Sequence, residues 1–87
     1  MSTQLYWKPA ATIYGDSLCN QLKYILASTY WQHDGSLSGE EVILGIDQLS
    51  YLCGIGDGSN DIEVKEDINV LIKAIEKYSG VWIWLET

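Results

Sequence analysis

Few residues in this chain are of types that do chemistry, and their spacing limits what they could do. His33 is the only histidine and is followed by Asp34. A Cys–His pair would make a nucleophile and base, but Cys19 and Cys53 lie far from His33 in sequence, at no zinc-type spacing. Two cysteines without a secretion signal read as reduced, buried thiols rather than as a disulfide. The adjacent carboxylates Glu40 and Glu41 would need a cleft to act as acid and base, and a chain of 87 residues has little wall to spare for one. Asp57, Ser59, Asp61 and Glu63 alternate as calcium ligands do. However, Ile62 stands where such a loop needs glycine, and Ile68 where it needs a bidentate glutamate. The glycine cluster at 54–59 (GIGDGS) lacks the spacing and the lysine of a phosphate loop, and Asp57 and Asp61 would repel a phosphate. These readings predict a protein that is not an enzyme and carries no cofactor and no metal.

Charge is more informative. Twelve acidic residues face five lysines, for a net charge of −7, and there is no arginine. Arginine is the usual reader of phosphates and base edges, so direct nucleic-acid binding is disfavoured. Nine of the acids fall between Asp34 and Asp67, with Lys65 the one basic residue among them. A field of this sign repels polyanions and steers basic partners; its simplest alternative use is to keep a small domain soluble.

The elements that must position these residues follow from periodicity. Ile68, Leu71, Ile72, Ile75 and Tyr78 share one helical face, opposite Glu66, Asp67, Asn69, Lys73, Glu76 and Lys77. Ser79-Gly80 is the expected stop, with glycine taking the left-handed conformation. Residues 81–85 (VWIWL) then read as a strand with Val81, Ile83 and Leu85 on one face and Trp82, Trp84 and Glu86 on the other. Both faces are apolar, so the strand requires cover on two sides, or else offers its tryptophans to a partner.

Upstream, residues 4–8 (QLYWK) read as a first strand with Leu5 and Trp7 on one face, ended by Pro9. Asp16 is the expected N-cap of a helix from Ser17 to about Trp31, with Leu18, Leu22, Ile25, Leu26 and Thr29 as its stripe and Cys19 beside it. Lys23 is the single charge in that run, which predicts a helix largely covered by its own protein. Residues 32–39 are a turn region, and residues 40–46 (EEVILGI) give a short strand whose acidic start suits a sheet edge. Asp47 is the expected N-cap of a short helix over residues 48–53, stopped by the glycines at 54–58; a polar loop to about Val64 follows. The resulting expectation is one α/β (α+β) domain over residues 1–87: about three short strands, two main helices and one short helix, in the order β-α-β-α-α-β. No apolar run approaches the ~18 residues of a membrane span. The N-terminal residues lack the basic start and apolar core of a signal peptide, so a cytoplasmic location is the default.

In length, acidic balance and the run WQHDGSLSGEEVILGIDQLSYLCGIGDG, the chain resembles the small acidic proteins encoded by phages and mobile elements, among them anti-CRISPR inhibitors. That resemblance implies an inhibitor that evades host defence from the host cytoplasm by binding a protein complex such as a CRISPR effector. Tyr14-Gly15-Asp16-Ser17-Leu18 is also similar to the helix entry of the barstar family of ribonuclease inhibitors, which implies an immunity or antitoxin role. The helix after Leu18 departs from that family's pattern, and no binding residue is carried over. The carboxylates expected to meet a basic partner surface are Glu40, Glu41, Asp47, Asp57, Asp61 and Glu63, with Trp82 and Trp84 as aromatic anchors. A homo-oligomeric assembly protein working through the two tryptophans is the alternative of another class, so the chain itself is expected as a monomer or a homodimer.

Overall fold

A computed structural model describes residues 4–11, 15–31 and 41–86. Along the chain come β1 (Gln4–Pro9), β2 (Asp16–Ser17), α1 (Asn20–Tyr30), β3 (Val42–Gly45), a 3-10 turn (Ile46–Gln48), α2 (Leu49–Gly58), α3 (Ile62–Tyr78) and β4 (Gly80–Glu86). The fold is mixed α+β, as expected, with four strands rather than three. All neighbours in the sheet are antiparallel, in the order β2-β1-β4-β3.

β1 and β4 hold the centre of the sheet, and β4 is its most buried strand. Leu5, Val81, Ile83 and Leu85 point into the core, with Leu44 from β3 beside them. The helices pack on that side of the sheet through Leu22, Leu26, Leu52, Val64, Ile68, Leu71 and Ile75. Each such side chain contributes roughly 1.5–3 kcal/mol on burial, several times the helix preference of any single residue. The molecule is therefore a two-layer slab with extents of 32 × 31 × 19 Å. As expected, Leu5 and Trp7 share the core side of β1, and β3 lies at an edge of the sheet. β4 is an inner strand, but the three helices cover only one of its faces.

Several local expectations are corrected. The first helix begins at Asn20, because Asp16 and Ser17 pair with Trp7 and Tyr6 as a short strand and Leu18 N–H donates to Leu5 O at 2.8 Å. The barstar-like helix entry is thus absent at Asp16–Leu18, and Tyr14 lies outside the described residues. Cys19 takes the N-cap position without a side-chain bond of its own; its N–H donates to Asp67 Oδ2 of α3 at 2.8 Å. The stripe of α1 is Leu22, Lys23, Leu26 and Ala27, with Ile25 and Thr29 turned outward. Burial therefore covers one side of α1 and leaves an uncharged outer side of Gln21, Tyr24, Ile25, Ser28 and Thr29.

Asp47 is not a helix cap but lies within the 3-10 turn, where Gln48 Oε1 accepts the Gly45 N–H at 2.7 Å. α2 then runs through the glycines expected to stop it. Gly56 is buried, and a β-carbon there would stand 3.2 Å from Ile68 Cγ2, so this glycine lets α2 close on α3. Close helix packing outweighs the roughly 1 kcal/mol that a helical glycine costs.

α3 starts at Ile62, inside the expected loop, because Asp61 caps it by accepting the Glu63 N–H at 2.9 Å. At its other end Ser79, not Gly80, takes the left-handed conformation, with φ 68°. Gly80 serves a different need: it pairs with Gly45, and a β-carbon on it would lie 3.3 Å from Leu44 O.

Candidate interaction surfaces

The acidic residues divide between the two ends of α3. Asp57 ends α2, and Asp61 and Glu63 open α3, so these three gather where the two helices meet. Asp47 follows Gly45, which pairs with Gly80 just beyond the C-terminus of α3. The 17 residues of α3 span about 25 Å at 1.5 Å per residue, so Asp47 stands apart from the first three. Glu41 is exposed immediately before β3, and Glu40 lies outside the described residues. No single patch joins all the acids expected to bind.

At the α2–α3 end the roles are unequal. Asp61 is half-buried and committed to capping, and its own N–H donates to Ser59 Oγ at 3.1 Å. Lys65 donates to Gly56 O at 2.8 Å, placing its cation on the negative end of α2. Asp57 and Glu63 are exposed. Glu63 is favourably placed in the first turn of α3, whereas Asp57 sits in the last turn of α2, where the helix dipole disfavours an anion.

Beside this end runs an open groove of about 360 Å³ lined by Gly56, Lys65, Glu66, Ile68, Asn69 and Ile72. It holds no nucleophile with a base. Among the described residues no three His, Cys, Asp or Glu side chains are grouped as metal ligands would be. His33 and Asp34 lie outside them. Asp57 and Asp61 are a helix residue and a cap, not members of a continuous calcium-type loop.

The thiols are both free. Cys53 is exposed on α2, contrary to the expectation of burial, because its face of the helix points away from α3. Cys19 is half-buried; desolvation, reinforced by the nearby Asp67 carboxylate, pushes its pKa above the usual thiol value. Burial likewise raises Tyr30, with Tyr51 beside it.

The second surface is the side of the sheet away from the helices. Trp82 and Trp84 stand there half-buried, opposite Lys8 and Tyr6 of β1. Tyr6 and Trp84 stack at 5.9 Å with 20° between their planes, and Lys8 Nζ lies 5.7 Å from the Trp84 ring centre. Ile43, opposite Trp82 from the other side, is 56% exposed. None of these belongs to the core cluster or packs against it. Tyr6 and Lys8 carry no functional signal of their own in the sequence, although alternation about Leu5 and Trp7 puts them on this face.

No described helix is long and apolar enough to cross a membrane. The chain matches no known protein family, no curated protein and no solved structure.

Proposed function

We propose that this chain is a non-enzymatic acidic binding protein that covers a basic surface of a nucleic-acid-handling protein complex, with a CRISPR effector as the target class. It acts there as an inhibitor of host defence. Such a partner carries lysine and arginine to hold phosphates, and carboxylates compete for the same cations. The observation that carries this reading is Asp57. It is exposed, acidic, and placed where its own helix disfavours it, beside the exposed Glu63. A residue set against local stability is expected where function requires it.

The test is capture from host lysate on the immobilised protein, eluted by a salt gradient. The wild-type chain is expected to retain a nucleic-acid-binding complex that elutes sharply as salt rises. Asp57→Lys with Glu63→Lys should abolish retention while circular dichroism is unchanged, and Asp47→Lys at the far end should leave it intact. Equal retention by all three proteins would refute the assignment.

A further inference from the structure

We propose that the groove between α2 and α3 seats the apolar face of a cationic amphipathic helix. A leucine-sized side chain enters it over Ile68 and Ile72, and lysines or arginines beside that anchor meet Asp57, Glu63 and Glu66. This rests on the function proposed above and names the part of the partner that is gripped. The groove exists because Gly56 has no side chain. A β-carbon there would already touch Ile68 Cγ2 at 3.2 Å, so Ile68 forms the floor, and Ile72, one turn on, is half-buried beside it. Ile62 stands one turn before Glu66 on the same face of α3 and, at 69% exposed, adds apolar area at the mouth. A volume of about 360 Å³ suits one or two large side chains rather than a whole protein surface. Walls made by two helices fit the regularly spaced anchors of a third.

Charge selects the occupant. From Asp57 to Glu66 there are four acids, Asp57, Asp61, Glu63 and Glu66, against Lys65 alone. Lys65 lines the groove, but its ammonium is already bonded to Gly56 O at 2.8 Å, and Asp61 is committed to its cap. That leaves Asp57, Glu63 and Glu66, all exposed, around the apolar lining. Lys73, one turn beyond Asn69, interrupts this acidic rim at its far side. Polyanions and acidic peptides are repelled here, and a second copy would bring the same acids and its own net charge of −7. An apolar anchor flanked by cations meets both the lining and the rim.

Fluorescence polarisation with labelled synthetic peptides, each about four turns long, tests this on the full chain. The peptides are a Leu/Lys amphipathic helix, a Ser/Lys peptide of equal charge and a Leu/Glu helix. The first should bind, the second about tenfold more weakly or worse, and the third not at all. Asn69→Trp, at an exposed position, fills the groove without changing charge and should weaken Leu/Lys binding about tenfold; Ile62→Ser should weaken it about threefold. Amide shifts on binding should centre on Gly56, Ile62, Asn69 and Ile72. Equal binding of the Ser/Lys and Leu/Lys peptides overturns the inference. So does Leu/Lys binding that neither substitution weakens, or shifts that centre on Trp82 and Trp84. If Asn69→Trp fails to fold, Ile62→Ser and the amide shifts decide. Lysate capture separates this inference from the reading beneath it. A basic complex retained in full by Asn69→Trp and Ile62→Ser overturns the groove and leaves the acidic surface standing.

Discussion

Asp67→Ala should destabilise this protein more than any other removal of a surface acid. α1 has no acidic residue in its first turn and no side-chain cap from its own N-cap residue. Its N-terminal end is instead served from 48 residues away, by the half-buried carboxylate of Asp67 on the Cys19 N–H. A charge-assisted hydrogen bond of this kind is worth about 1.5–3 kcal/mol, and a carboxylate at a helix N-terminus adds up to about 1. Partial solvent screening trims the sum, which leaves roughly 2 kcal/mol for Asp67→Ala. Asp67→Asn keeps an acceptor but not the charge, and should cost about 1 kcal/mol. In urea unfolding, where a domain this small loses about 1 kcal/mol per molar, the midpoints should fall by about 2 M and 1 M with the slope unchanged. A midpoint for Asp67→Ala within about 0.5 M of wild type would show that water caps α1 equally well and would refute the reasoning.

Three further outcomes are expected. A β-carbon added at Gly54 would have nothing within 4 Å, whereas one at Gly56 would meet Ile68 at 3.2 Å. Gly54→Ala should therefore stabilise by about 0.5–1 kcal/mol and Gly56→Ala should not, with their urea midpoints separating in that order; equal gains would dismiss the close-packing role of Gly56. For the thiols, Cys53 should react with a thiol reagent well before Cys19. Because the folded pKa of Cys19 lies above the ordinary thiol value of 9.0, its contribution is complete below that pH and is lost as pH rises through the folded value. Tyr30 extends the decline above 10.0. Urea midpoints should thus fall on the alkaline side, and less steeply in Cys19→Ala; a parallel fall in both proteins would count against this account.

Much of this architecture was legible in the sequence where one local rule acted alone. The stripe of Ile68, Leu71 and Ile75 and the alternation of residues 81–85 both follow from burial on one face, and both are found. Legibility failed where tertiary contact overrode a local signal. Asp16 has the chemistry of a helix cap, yet backbone pairing with β1 claims it. The glycines of α2 are punctuation in sequence but spacing in the fold. The start of α3 is encoded locally, since Val64 extends the stripe by one turn and Asp61 precedes it as a cap. The candidate sites fared less evenly. Asp47 and Asp57 stand at opposite ends of α2, and that separation was hidden because the glycines of α2 read as a stop after residue 53.

The pairing of β1 with β4 has a consequence for how this protein is made. The two central strands are separated by about 70 residues, which ribosomes add over several seconds at ~5–20 residues per second. During that interval β1 has left the ribosome without its main partner, and the apolar rows around Leu5 and Tyr6 await a strand not yet synthesised. The α2–α3 hairpin, whose contacts are local, can form first and offer a surface on which the late strand condenses. A slow stretch of translation between β1 and β4 would prolong that exposure and should lower the yield of folded protein.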